Sequence, residues 1–89
     1  GKKAISDRYE VLTDDVAKTL NLIHDVLREY NGDIRNVAAQ QTADGHILCF
    51  DVAFHGLKTG KRSQKFFTAL LEEESIRSVS QNNKNSTKV

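Results

Sequence analysis

Eighty-nine residues, with 13 Lys and Arg against 12 Asp and Glu and a net charge of +1, hold one domain with one modest core, because a chain of this size buries only about 60–65% of the surface it exposes when unfolded. That excludes a phosphate-loop nucleotide hydrolase, whose covered parallel sheet needs several βαβ units of about 30 residues, and the even charge makes no general case for nucleic acid. No apolar run approaches the ~18 residues of a membrane span, and a single Cys with no Pro fits a reducing compartment better than a disulfide-stapled secreted module.

Gly1 and the lack of any Met suggest a fragment, expected to be the C-terminal domain of a longer protein. Residues 1–4 read as a tag remnant or linker and 5–81 as the folded domain. Residues 82–89, polar and without apolar anchors, read as a disordered tail.

Ile5 to Thr13 alternates, with Ile5, Tyr9 and Val11 on one side and Ser6, Arg8 and Glu10 on the other; only Leu12 breaks the pattern of a half-buried strand. From Asp14 to Tyr30 the period becomes helical, with Val16, Leu20, Ile23, Leu27 and Tyr30 at steps of three and four. Thr13 or Asp14 is expected to cap its start, and Asn31-Gly32 to supply the left-handed stop. Asp33–Thr42 and His46–His55 flank the turn Ala43-Asp44-Gly45 as a hairpin. In its second arm Leu48, Phe50, Val52 and Phe54 share the core face, and Ile47, Cys49, Asp51, Ala53 and His55 share the other. Ile34 and Val37 are out of phase, which predicts a bulge or a late strand start. A second helix is expected from about Lys61 to Glu74, with Phe66, Phe67, Leu70 and Leu71 inward, and a last strand over Ser75–Gln81.

This βαββαβ order predicts an α+β, ferredoxin-like sandwich: a four-stranded antiparallel sheet with both helices on one face. The stretch Phe54-His55-Gly56-Leu57-Lys58-Thr59-Gly60-Lys61-Arg62-Ser63 has the parts of a phosphate-binding loop, but it is one residue short between its glycines, and Arg62 stands where the hydroxyl belongs. In a two-layer domain these glycines read as strand exit and helix entry.

The second helix carries its charge against its dipole. Lys61, Arg62 and Lys65 crowd its first turns, and Glu72, Glu73 and Glu74 its end. With Lys58 the basic residues form a candidate contact for an anion or an acidic partner. Ile47, Cys49, Asp51 and Ala53 form a second candidate contact on the sheet face away from the helices, mixed where a free-standing domain would be polar. Cys49, Asp51 and His55 are ligand-type residues on one strand, but spacings of about 7 and 14 Å keep them from one ion, so no metal or cofactor is expected. His24 and His46 lack a patterned companion, and no catalytic constellation stands out. Phe50 and Phe54 point to the core instead of forming a stacking platform, so no RNA is expected.

Tyr9-Glu10-Val11, the passage Leu27-x-x-Tyr30-Asn31-Gly32-Asp33-Ile34 and the closing Ile76-Arg77-Ser78-Val79 resemble an ACT-like regulatory domain, and more particularly the C-terminal cytoplasmic domain of MgtC/SapB-type bacterial membrane proteins. The resemblance implies a non-enzymatic regulatory or protein-interaction domain at the cytoplasmic face of the inner membrane, linked to growth in low magnesium and to virulence. It implies as partner the membrane-embedded part of the same chain or another protein; separately, the mixed sheet face around Ile47, Cys49 and Ala53 leads to an expected weak homodimer. The alternative is a small-ligand-binding ACT domain controlling a metabolic enzyme. Amino-acid-binding ACT domains resemble one another in an Asp-x-x-Gly-Leu type turn after the first strand. This chain has Thr13-Asp14-Asp15-Val16-Ala17-Lys18 there, without the glycine, so those binding residues are not carried over.

Overall fold

The computed structural model describes residues 6–56 and 59–81, and Lys84–Thr87 as backbone. Residues 1–5, and with them Ile5, lie outside it. The chain runs β1 (Ser6–Thr13), α1 (Val16–Tyr30), β2 (Gly32–Thr42), β3 (Gly45–Phe54), α2 (Thr59–Glu72), β4 (Ile76–Gln81) and β5 (Lys84–Thr87). The sheet order is β2-β3-β1-β4-β5, every neighbour antiparallel. Its first four strands and two helices make the expected ferredoxin-like α+β arrangement. β5 is a correction, since it lies in the segment read as a disordered tail. It pairs Ser78 with Thr87 and Gln81 with Lys84, a pairing made through backbone groups, which leaves no apolar pattern in the sequence.

β1 and β3 set the two faces. The register Asp7↔Val52, Tyr9↔Phe50 and Val11↔Leu48 stacks one set of side chains under the helices, while Arg8↔Asp51, Glu10↔Cys49 and Leu12↔Ile47 point away. Leu48, Phe50, Val52 and Phe54 are buried as expected. Phe66 of α2 anchors the upper layer, its ring edge-on to those of Tyr9, Phe50 and Phe54 at 5.1, 6.3 and 6.2 Å.

The first helix buries Ile23 and Leu27, with Val16, Leu20 and Tyr30 packed beside them. Its cap is Asp15, whose side chain accepts from the Lys18 N–H, and not Thr13 or Asp14. Thr13 is fully buried and its Oγ1 lies 2.7 Å from that of Thr19, so its hydroxyl is committed inside the fold. Asn31 takes the left-handed stop at φ 58° and Gly32 follows. A Cβ on Gly32 would come within 2.9 Å of the Leu27 and Phe54 side chains, so the absence of a side chain there is a packing requirement. The irregularity in β2 is a bulge between Arg35 and Ala38, with Asn36 at φ 54° and Val37 turned out at 47% exposure. Compared with expectation, α2 starts and ends two residues early, at Thr59 and Glu72. Gly60 therefore lies within its first turn, and Gly56, at φ 94°, makes the strand exit.

Candidate functional site

Both helices cover one face of the sheet, and nothing among the described residues covers the other. On that open face Leu12 is the direct cross-strand partner of Ile47. Both are half-buried. The residue that breaks the alternation of β1 is therefore half of an apolar pair on the uncovered side. Half-buried Cys49 lies one pair further along, opposite Glu10. Ala53 is 1% exposed and offers no area to a partner, so the expected apolar patch of Ile47, Cys49 and Ala53 becomes Leu12, Ile47 and Cys49.

Toward the bulge the open face is a polar network. Arg8 pairs with Asp51 at 3.1 Å, and the Asn36 amide donates to the other Asp51 oxygen at 2.8 Å. Asp33 accepts from His55 Nε2 at 2.6 Å and meets Arg35 at 3.6 Å. Cys49, Asp51 and His55 thus have different partners. Among the described residues no three ligand-type side chains gather around a point. The Cys49 Sγ donates weakly to Glu10 at 3.7 Å, and burial together with that carboxylate pushes the thiol pKa up. A thiol held protonated is the opposite of an activated nucleophile. His24 is exposed on α1, and His46 is half-buried with its Nδ1 unpaired.

The basic end of α2 is largely occupied by the fold itself. Arg62 donates to the Tyr30 carbonyl at 2.9 Å, closing the C-terminal end of α1, and its guanidinium lies 5.6 Å from the centre of the Phe54 ring. Lys65 lies 5.7 Å from the centre of the Tyr30 ring. A charge unfavourable to its own helix is here favourable to the neighbouring helix end. Lys61 is exposed, and Lys58 lies outside the described residues. At the other end of α2, Glu73 meets Lys18 at 3.3 Å and accepts from the Ser75 N–H.

Four carboxyls are held below their usual range by hydrogen bonds: Asp14 by Arg77, Asp33 by His55, Asp51 by Asn36, and Glu73 by the Ser75 backbone. A depressed native pKa means that the unfolded chain binds protons more readily, so stability is present above the unfolded values and is lost as pH falls through the native ones. Urea unfolding should therefore show a midpoint that is flat near neutrality and declines below about pH 4. A midpoint unchanged down to about pH 2.5 would contradict these contacts.

No family model matches the chain, and no curated protein matches it by sequence. Solved structures do. The C-terminal domain of the MgtC protein from Mycobacterium tuberculosis superposes with a TM-score of 0.76 at 11% identity, over 98% of this chain and 93% of that one. The fold is that of an ACT-like domain. The ACT domain of a GTP pyrophosphokinase from Chlorobium tepidum aligns with a TM-score of 0.61 at 14% identity, over 89% of this chain and 99% of its own. Among the described residues no helix is long and apolar enough to cross a membrane.

Proposed function

We propose that this ACT-like domain is a non-enzymatic regulatory and protein-interaction module, the C-terminal cytoplasmic part of an MgtC/SapB-type membrane protein that serves growth in low magnesium and virulence. The observation that carries the reading is the open face: a half-buried apolar pair, Leu12 and Ile47, on a sheet side without cover among the described residues. A free-standing two-layer domain favours polar residues there. The membrane-embedded part of the same chain is the preferred partner, and tethering would raise the effective concentration of a weak contact. The likeness to the MgtC C-terminal domain supports this placement.

The second reading, a ligand-binding ACT domain attached to a metabolic enzyme, draws on the likeness to the GTP pyrophosphokinase ACT domain. At the β1–α1 turn, however, Asp14 is engaged by Arg77 at 2.9 Å, and no glycine opens the backbone to a ligand. The coding sequence of the full-length protein separates the two. Apolar segments of about 20 residues, long enough to span a bilayer, support the membrane reading. A catalytic domain without such segments overturns it.

A further inference from the structure

Building on the reading of the open face as an interaction surface, we propose that its turn end is a docking groove for a basic, extended segment of a partner protein. A Lys or Arg of that segment lays its aliphatic stem on Leu12 and Ile47 and brings its charge to Glu10 and Asp44. A cavity of about 470 Å³ lies there, with Leu12 and Ile47 in its lining and Glu10, Asp44, Ser78 and Ser80 around them.

The open face divides by charge. Toward the bulge, Asp51 has Arg8, and Asp33 has His55 and Arg35. Toward the β2–β3 turn, Glu10 and Asp44 form no ion pair among the described residues. Among the described residues Glu10 receives the long thiol contact from Cys49. Asp44 engages Thr42 through its backbone N–H. Arg77 is near enough for Asp44 to act on it electrostatically, but its Nε is committed to both oxygens of Asp14, at 2.9 and 3.0 Å. An apolar floor beside two carboxylates that make no ion pair among the described residues matches a side chain with an aliphatic stem and a cationic head. The Ser78 and Ser80 hydroxyls offer hydrogen bonds to the same guest. An acidic segment is repelled here, and a wholly apolar one would strip water from both carboxylates without replacing it.

The test is a titration of the isotope-labelled 89-residue chain, followed by amide shifts, with an extended peptide alternating Lys and Val, a control alternating Glu and Val, and spermine. The expected result is a saturable shift at Glu10, Leu12, Asp44, Ile47 and Ser78 with the Lys peptide alone. Its affinity should fall about tenfold in the double variant Glu10→Gln, Asp44→Asn, two exposed sites whose change leaves the amide spectrum folded. Absence of saturation below about 1 mM, shifts centred elsewhere, equal affinity in the double variant, or equal binding of spermine would each overturn the proposal. If the peptide fails while Ile47→Lys still abolishes a contact of this face, the basic partner is wrong and the interaction reading stands.

Discussion

Phe50→Ala should leave little folded protein. Phe50 is fully buried, stacked on Tyr9 with ring centres 5.5 Å apart and planes within 9°, and edge-on to Phe66. Its removal opens a cavity between the sheet and α2 that the flanking rings cannot fill without leaving their own positions. The expected cost is about 3–5 kcal/mol, comparable with the whole stability of a domain this small. In a chain of this length even 1 kcal/mol moves Tm by roughly 4–8 °C. A Phe50→Ala variant with an unchanged Tm would mean that the faces of β3 are reversed.

The second large effect is expected at Thr13. Its Oγ1 lies 2.7 Å from Thr19 Oγ1, 3.1 Å from the Ser75 carbonyl and 3.2 Å from that of Asp15, and accepts from the Asp15 N–H at 3.1 Å. One side chain thereby ties β1 to the start of α1 and to the approach to β4. Thr13→Val keeps the shape but leaves Thr19 and the Asp15 N–H without that partner. The loss should be about 1–3 kcal/mol, read as a lower urea midpoint, with Thr13→Ser retaining most of the wild-type stability. Equal midpoints for Thr13→Val and wild type would show that the hydroxyl contributes nothing net.

Period and punctuation carried much of the fold. The alternation of β3, the three-and-four spacing of α1, the Asn31 stop and the phase slip in β2 each mark a local geometry, and each has its counterpart in the structure. Interactions between distant residues left weaker traces. Arg62 looks like a misplaced charge until α2 is packed beside the end of α1, which lies 32 positions away in sequence. Thr13 reads as a helix cap because capping residues and buried hydroxyl anchors share a residue type. Leu12 was visible only as a break in alternation, and its meaning depends on standing opposite Ile47. Ala53 falls on the open face by alternation, yet it is buried. Alternation assigns a side and does not say how much of it neighbouring side chains cover.

The central claim, that the open face is a contact surface, is tested most directly by recording amide spectra of the wild type and Ile47→Lys over a dilution series from about 1 mM downward, alone and with the membrane-embedded partner proposed above. Concentration-dependent or partner-dependent shifts should centre on Leu12, Ile47 and Cys49, with a self-association constant on the order of 10–1000 μM, and should vanish in Ile47→Lys while the fold persists. Unchanged spectra for both proteins at every concentration and with the partner, or shifts confined to the helical face, would contradict the account.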